Sequence, residues 1–308
     1  MRRAQQGVAL VLVMWAAIIL AVVASSFILD RRTEAMIVGN SISIARAQAA
    51  ADAGVQRAVF EAYRNDNAPE IWKRDGAPHE WVFDGVPVRV VMRDESAKID
   101  INTASDALLR GLFVSAGLND DQADSLLDAV LDWRDADSLK RLHGAEEDDY
   151  KAAGLPYRPA NAPFQAIEEL QLVLGMRPEV YRRIAPSITV YSHQPGVNPQ
   201  VASRDVLLAI PGLTTEVVDD YIARREDARA NGQPLPTLPQ AGAFSTGNSL
   251  VVSILSEARL EDGTDFSREA VALLRPAPRK PVTFVAWRES TASVPAPPPA
   301  AAEPAPSR

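Results

Sequence analysis

The opening of the chain constrains it more than any other segment. Arg2 and Arg3 lead into Gln5, Gln6 and Gly7, and from Val8 onward no charged side chain appears until Asp30. The apolar run over residues 8–29 is long enough to cross a bilayer core as a helix, which takes about 20 residues. A cleaved secretory signal is the alternative, because Ala21, Val22, Val23 and Ala24 place small residues at a cleavage position. Against it, the run exceeds a usual signal core of about 7–15 residues, and helical patterning continues past it. Residues 30–64 contain no proline and are rich in Ala, Gln, Arg and Glu, all good helix formers. Ile37, Ile44, Ala47, Ala51, Val55, Ala58 and Ala62 fall on one helical stripe. Asn65, Asp66, Asn67, Ala68 and Pro69 then stop the helix. A single helix over residues 8–64 would run about 85 Å, lipid-soluble in its first half and amphipathic in its second.

Composition limits the chemistry of the remainder. The chain of 308 residues has room for one anchor and one or two globular units. It has no cysteine, which excludes disulfides, a thiol nucleophile and zinc–thiolate sites. His79, His143 and His193 are scattered, an arrangement that speaks against a histidine-based metal site or catalytic dyad. Residues 94–190 hold 18 Asp and Glu against 10 Lys and Arg, a balance of −8 that equals the net charge of the whole chain. This middle region is therefore a distinct acidic module. Residues 290–308 are rich in Pro and Ala and are expected to be disordered.

Strand and helix signals divide the chain further. Trp81, Val82 and Phe83, the turn Asp84-Gly85, and residues 86–92 read as a β-hairpin. Helical periodicity fills residues 104–183, punctuated by Gly117, Gly144, Gly154, Pro163 and Gly175. Strand-like residues return at Ile188, Thr189, Val190 and Tyr191, and a second helical piece covers 204–229. Residues 250–255, 270–274 and 282–287 read as strands, with Glu261-Asp262-Gly263 as a turn. The expected class is α+β: a long N-terminal helix on a small antiparallel sheet, with a large inserted helical domain. Its expected segments are a leader (1–7), the long helix (8–64), the first part of the β domain (65–100), an acidic helical insertion (101–187), a strand return (188–197), a second helical unit (198–230), the rest of the β domain (231–289) and the tail (290–308).

Two features of the insertion bear on function. Residues 101–134 and 197–225 form an internal repeat, each copy entering a helix behind a polar cap and turning at a glycine, Gly117 or Gly212. Such helix-hairpin-helix units commonly grip nucleic-acid phosphates, so a membrane-anchored DNA receptor of the competence type is a rival reading. Charge opposes it. Phosphate binding needs Lys or Arg to displace counterions, whereas the first copy offers Asn119, Asp120 and Asp121 and the second hairpin has no adjacent lysine. The second feature is a set of carboxylates: Asp132, Asp135 and Asp137, followed by Glu146, Glu147, Asp148 and Asp149. Hard oxygens in one loop suit Ca²⁺, although the spacing is not that of an EF-hand and a solvated acidic loop is the plainer reading. With no nucleophile, phosphate loop or paired base nearby, the sequence reads as a non-enzymatic protein.

The N-terminal pattern resembles type IV pilins and pseudopilins. That resemblance implies cleavage by a prepilin peptidase between Gly7 and Val8, and methylation of the new amino terminus. It also exposes two departures: Val8 stands where the family usually has Phe, and Leu12 stands where most members carry Glu. In that family the Glu pairs with the terminal amine of a neighbouring subunit, and the member lacking it is the tip subunit. Further along, Lys98-Ile99-Asp100-Ile101-Asn102-Thr103-Ala104, Asp132-Trp133-Arg134-Asp135-Ala136-Asp137-Ser138, Gly144-Ala145-Glu146-Glu147, Pro156-Tyr157-Arg158-Pro159-Ala160-Asn161 and Glu168-Glu169-Leu170 are similar, in order, to general secretion pathway protein K, the minor pseudopilin of type II secretion.

The resemblance covers roughly residues 7–287. It implies a pilin-like fold, a place at the tip of the periplasmic pseudopilus with two other minor pseudopilins, and calcium in the acidic loop. Glu147 stands where the family tends to have Asp. Further partners implied are the inner-membrane secretion platform, the prepilin peptidase and membrane lipid, with no nucleic acid. The expected location is a single pass through the inner membrane, with the N-terminus cytoplasmic and the bulk periplasmic. A type IV pilus minor pilin is a second alternative, which the inserted helical module disfavours.

Overall fold

A computed structural model describes residues 5–64, 71–275 and 281–294; the side chains of 5–9, 27–30, 32 and 243 are not described. The helix-stopping residues 65–69 and most of the Pro/Ala-rich tail therefore lie outside the described residues.

The N-terminal half of the sequence signal becomes one continuous helix, α1 (Gln5–Tyr63). Only its second half is covered. Ala47, Ala50, Ala51, Val55, Ala58 and Val59 are buried against the sheet, whereas Ile37 and Ile44, expected on the same stripe, remain exposed. Ser43 reaches the globular body, its hydroxyl donating to Asp262 at 2.6 Å, but burial of the stripe begins only at Ala47. Residues 10–26 are likewise exposed. Among the described residues, no helix is long and apolar enough to cross a membrane. The expected span over 8–29 includes positions on both sides of 10–26 whose side chains are not described.

The body beneath α1 is a five-stranded antiparallel sheet built from β1 (Asp75–Phe83), β2 (Val86–Asp94), β5 (Val251–Arg259), β6 (Asp265–Leu274) and β7 (Val282–Ser290), in the order β1-β2-β5-β6-β7. The β1–β2 hairpin turns at Asp84 (φ 48) and Gly85 (φ 75), two successive left-handed residues that match the twist of the flanking strands. Alternation puts Val88, Val90 and Met92 on the face that meets α1, with Val252, Ile254, Ala270 and Ala272 beside them. Gly54 lets the helix come close: a Cβ there would stand 2.2 Å from the Ser256 hydroxyl and 2.8 Å from Val88.

Between β2 and β5 the chain leaves the sheet to build the insertion. Its helices are α2 (Asp106–Ser115), α3 (Asp120–Arg134), α4 (Glu147–Ala152), α5 (Pro178–Ile184), α6 (Arg204–Leu208) and α7 (Thr215–Ala230). The strand expected at 188–191 is shorter and pairs elsewhere. Only β4 (Ile188–Thr189) forms, and it runs parallel to β3 (Ile99–Asp100) in a separate two-stranded sheet. This small sheet closes the base of the insertion and keeps its strands out of the main sheet. A single apolar cluster, from Ile99 through Tyr150 and Tyr221 to Ala241, runs through both copies of the repeat and the segment between them.

The repeat expected from sequence is present in detail. Ser105 and Ser203 cap α2 and α6, and Asn119 and Thr214 cap α3 and α7, each side chain accepting a backbone N–H. Before each first helix sits the same turn: Asp100 and Asn198 accept through their backbone oxygens from Ala104 N and Ala202 N at 2.8 and 2.9 Å. Near the end of each second helix an arginine reaches back to that turn. Arg134 donates to the Ile101 carbonyl at 2.5 Å, and Arg225 donates to the Pro199 and Ala202 carbonyls at 2.8 Å each. The copies meet at equivalent places, Gly111 of α2 lying against Ala209 just after α6, where a Cβ on Gly111 would stand 2.0 Å from the Ala209 carbonyl oxygen.

Candidate functional site

The acidic loop joins α3 to α4 and divides the seven expected carboxylates into two groups. Asp132, at the end of α3, is fully buried and accepts from the Arg141 backbone N–H at 3.3 Å. The loop passes so close to it that a Cβ on Gly144 would lie 1.9 Å from Asp132 Oδ2, which only glycine permits. Asp135 Oδ1 and Glu146 Oε1 are buried with no hydrogen-bond partner, and so is Asn161 Oδ1 nearby. Asn161 donates to the Asp137 carbonyl at 2.8 Å, and Asp137 Oδ1 accepts from Leu139 N at 2.8 Å.

Charge within this first group is only partly compensated, by Arg141, 3.7 Å from Asp132. Burial raises the Asp132 carboxyl above the usual range, with the nearby Asp135 adding to it. Burial also raises Asp135, reinforced by Asp137. Glu146 is raised by burial and then by Asp132, Asp135 and Asp137 in turn. The second group faces cations. Glu147 is held down by hydrogen bonds from Lys151 and Arg158, and Asp149 by one from Lys140. Asp148 is exposed and stands 3.6 Å from Lys151.

This arrangement limits the metal reading. Among the described residues, no group of three or more His, Cys, Asp or Glu side chains is arranged to hold a metal ion. The donor chemistry nevertheless suits a hard cation: Asp132, Asp135, Asp137 and Glu146 are mutually repelling carboxylates, and two of them have buried, unpartnered oxygens. Sequence reasoning named all seven carboxylates; it could not separate these four from Glu147, Asp148 and Asp149, whose partners come from Lys140, Lys151 and Arg158.

The helix-hairpin-helix units tie their exposed cations into ion pairs and backbone contacts. Arg110 of the first unit pairs with Asp120 and Asp124 at 2.8 and 2.5 Å. Arg183 donates to the Ala116 carbonyl at the hairpin turn. In the second unit Arg204 pairs with Asp219 at 2.6 Å and Arg224 with Asp220 at 2.8 Å. Phosphate recognition needs these groups free, whereas carboxylates hold Arg110, Arg204 and Arg224 and a carbonyl holds Arg183.

The remaining expected residues lie on α1. Gly7 and Val8 fall within its first turns, their side chains outside the described set, and Leu12 is exposed.

Comparison with known proteins agrees with this architecture. The family model described as type II secretion system (T2SS), protein K matches residues 89–196, which take in the crossing from sheet to insertion and the acidic loop. The type II secretion system protein K of Pseudomonas aeruginosa is 28% identical over 294 residues, covering 85% of this chain and 87% of that one. The protein of the same name from Pectobacterium carotovorum is 40% identical over 81 residues, so this chain spans only about a quarter (25%) of that relative's length. The fold matches a chain in the crystal structure of the GspK-GspI-GspJ complex of the enterotoxigenic Escherichia coli type 2 secretion system, with a TM-score of 0.60 and 13% identity, covering 85% of this chain and all (100%) of that one. The family model over residues 89–196 and the two relatives make this chain similar to type II secretion system protein K, and the structural match shows that it shares the fold of a chain in that complex.

Proposed function

We propose that this protein is a minor pseudopilin that caps or initiates the periplasmic pseudopilus at its tip, in a complex with two other minor pseudopilins. One observation carries the reading: the insertion sits at the end of the sheet remote from the start of α1. Ser43 of α1 meets the β5–β6 turn at Asp262, whereas the end of α1 at Glu61 and Ala62 lines a cavity of about 480 Å³ with Asp94, Gln200 and Arg229 of the crossing and insertion. The uncovered first part of α1 is then free to pack against neighbouring helices, while the bulk of the insertion stands where a following subunit would have to fit. The structural relative is recorded in a complex of three such proteins, in keeping with two partners here.

In this reading the prepilin peptidase cuts between Gly7 and Val8 and methylates the new terminus. Residues 8–29 hold the chain in the inner membrane, in contact with lipid and the secretion platform, before assembly. Leu12 leaves the fibre helix without the carboxylate that would bind a subunit ahead, and a carboxylate at that depth would cost a few kcal/mol, about 2.5–3.5 on insertion scales. The protein acts by assembly and not by catalysis. Calcium, where bound, is held by Asp132, Asp135, Asp137 and Glu146. It would supply positive charge to carboxylates that otherwise repel one another. The orphaned oxygens of Asp135 and Glu146 support this part of the reading.

Mixing the full chain with the other two minor pseudopilins and, separately, with DNA tests the main reading. A ternary complex on size exclusion is the expected result; a salt-sensitive DNA shift with no ternary complex would sink it. For calcium, Asp135→Ala and Asp137→Ala are expected to abolish the rise in melting temperature that Ca²⁺ gives the parent. An equal rise in parent and variants removes the loop assignment.

A further inference from the structure

The main sheet has two faces, and only one of them meets α1. Along β5, Val252, Ile254 and Ala258 face the helix, so Ser253, Leu255 and Glu257 point to the opposite, outer face. On that face Glu257, Ser267 and Ser290 stand side by side on β5, β6 and β7. The chain leaves β7 at Ser290 and returns across this row. The Ala292 N–H donates to the Ser290 hydroxyl at 3.1 Å, and the Val294 N–H donates to Glu257 Oε2 at 2.8 Å. Two strand spacings take about 10 Å, and four extended residues reach about 13 Å. Residues 291–294 therefore cross β6 nearly straight, at Ser267. Ser267 is 8% exposed and Glu257 3%, although both lie on the face that α1 leaves open.

The crossing is anchored at its end. Val294 is 2% exposed, whereas Thr291, Ala292 and Ser293 are exposed. Glu257 does not depend on this contact for charge balance, because Arg89 pairs with its other oxygen at 3.1 Å. A segment held by one buried side chain and one hydrogen bond to the sheet belongs to the low end of local stability, well below strands paired on both sides. Ala292 and Ser293 also line a cavity of about 390 Å³, together with Leu255 and Val271 of the sheet and Ile188 and Tyr191 of the insertion. Lifting the crossing uncovers Ser267 and Glu257 and opens this cavity in one movement. We infer that residues 291–294 are a strap, an extended segment bound in cis, which covers the outer face and releases it while the sheet and the insertion stay folded. The seat is occupied by this chain's own strap. It recognises one apolar side chain, Val294, and one backbone N–H donated to Glu257.

The chain has no cysteine, so a single introduced one reports the cover directly. Ser267→Cys replaces one oxygen by sulfur beneath the strap, and Ser125→Cys at an exposed position of α3 sets the uncovered rate. In the full chain, maleimide labelling at position 267 is expected to be about tenfold or more slower than at 125, as for a closed local segment. Val294→Asp sets a carboxylate beside Glu257 and should bring the two rates within about threefold, because like charges in contact repel. Ending the chain at Ser290 should do the same. Val294→Ile, or a chain ending at Val294, should leave position 267 slow. The sheet and insertion should melt as in Ser267→Cys alone throughout. Equal rates at 267 and 125 in the full chain overturn the proposal, as does a rate at 267 that stays slow once the strap is gone. Loss of the sheet transition in the strapless chain also overturns it, since the segment is then part of the sheet fold. Protection that disappears on dilution assigns the cover to a second copy and overturns it as well. None of these outcomes depends on the pseudopilin reading or on its partners.

Discussion

The sheet body and the insertion are two solutions to burial within one chain. Where α1 meets the sheet the contact is made by Ala50, Ala51, Val55 and Ala58 against Val88, Val90, Ile254 and Ala272, small side chains that allow a straight rod to lie close. The insertion has no long element to lean on. Its core is filled by Tyr150, Tyr221, Phe113 and several leucines, and its turns are fastened by the half-buried Arg134 and the buried Arg225 reaching backbone carbonyls. The two apolar clusters share no residue. They are joined instead by polar contacts: Asp94 Oδ1 accepts from Ser96 N at 2.9 Å and Ser249 N at 2.8 Å, which pins the outgoing and returning strands of the crossing, and Asn198 N donates to Ser96 O at 2.7 Å. Two cores that share no residue and meet through polar contacts are therefore expected to unfold as separate units.

The largest effect should come from Gly111→Val. Its Cβ would meet the backbone oxygen of Ala209, which cannot rotate away as a side chain can, so the two copies of the repeat must separate. Overpacking of this kind costs about 3 kcal/mol or more. Calorimetry should show the insertion transition lowered and the sheet transition in place. A single transition that moves as a whole would break the two-core account.

Next in size is Arg225→Met. Arg225 is buried and satisfies two carbonyls, while Arg134 makes one short bond to Ile101 and a long one of 3.5 Å to Ala104. Leaving buried carbonyls unpaired costs about 1–3 kcal/mol each, so Arg225→Met should lower the insertion transition more than Arg134→Met. Equal losses would show that the copies are fastened alike despite their different bond counts.

These arginines also mark how far the sequence could be read. The hairpin at 81–92, the long helix and the paired repeat were legible because each rests on local periodicity or on a turn residue such as Gly85 or Gly117. The pairing of Ile99–Asp100 with Ile188–Thr189 was not, since two-residue strands have no period and their partners lie far apart in sequence. The reach of Arg134 and Arg225 was hidden for the same reason: only the folded turn brings a carbonyl under the guanidinium. In the acidic loop the residue types were plain, but the division between repelling and ion-paired carboxylates depended on where Lys140 and Arg158 fall in space. The covered length of α1 was overestimated, because a stripe on a helix does not say where the sheet ends.

The joint between the cores gives a prediction in pH. Burial raises the Asp94 carboxyl above its usual range, against hydrogen bonds from Ser96 and Ser249 that lower it. Its Oδ2 has no partner. A folded pKa above the unfolded value means that the folded state binds the proton more tightly. The stabilisation is complete below the unfolded pKa and is lost as pH rises through the raised folded value. The parent should therefore gain stability from this group on mild acidification, whereas Asp94→Asn, which keeps an acceptor for Ser96 and Ser249, should lack that increment. Difference melting curves at neutral and mildly acidic pH measure it, and parallel slopes in parent and variant would remove Asp94 from the joint's pH response.

The smallest effect belongs to the outer face. Arg288 on β7 pairs with Glu269 of the sheet at 2.9 Å and lies 3.6 Å from Glu168 of the insertion, so it is the ion pair that crosses from one core to the other there. All three side chains are partly exposed, and water and salt screen them; Arg288→Ala should cost only about 0.5 kcal/mol. The informative quantity is where that small loss appears. If Arg288 couples the two bodies, the variant should widen the gap between the sheet and insertion transitions without moving the sheet transition much, and added salt should have the same effect on the parent. If both transitions fall together, the Glu269 pair alone matters, and the buried crossing at Asp94 carries the coupling between the two cores.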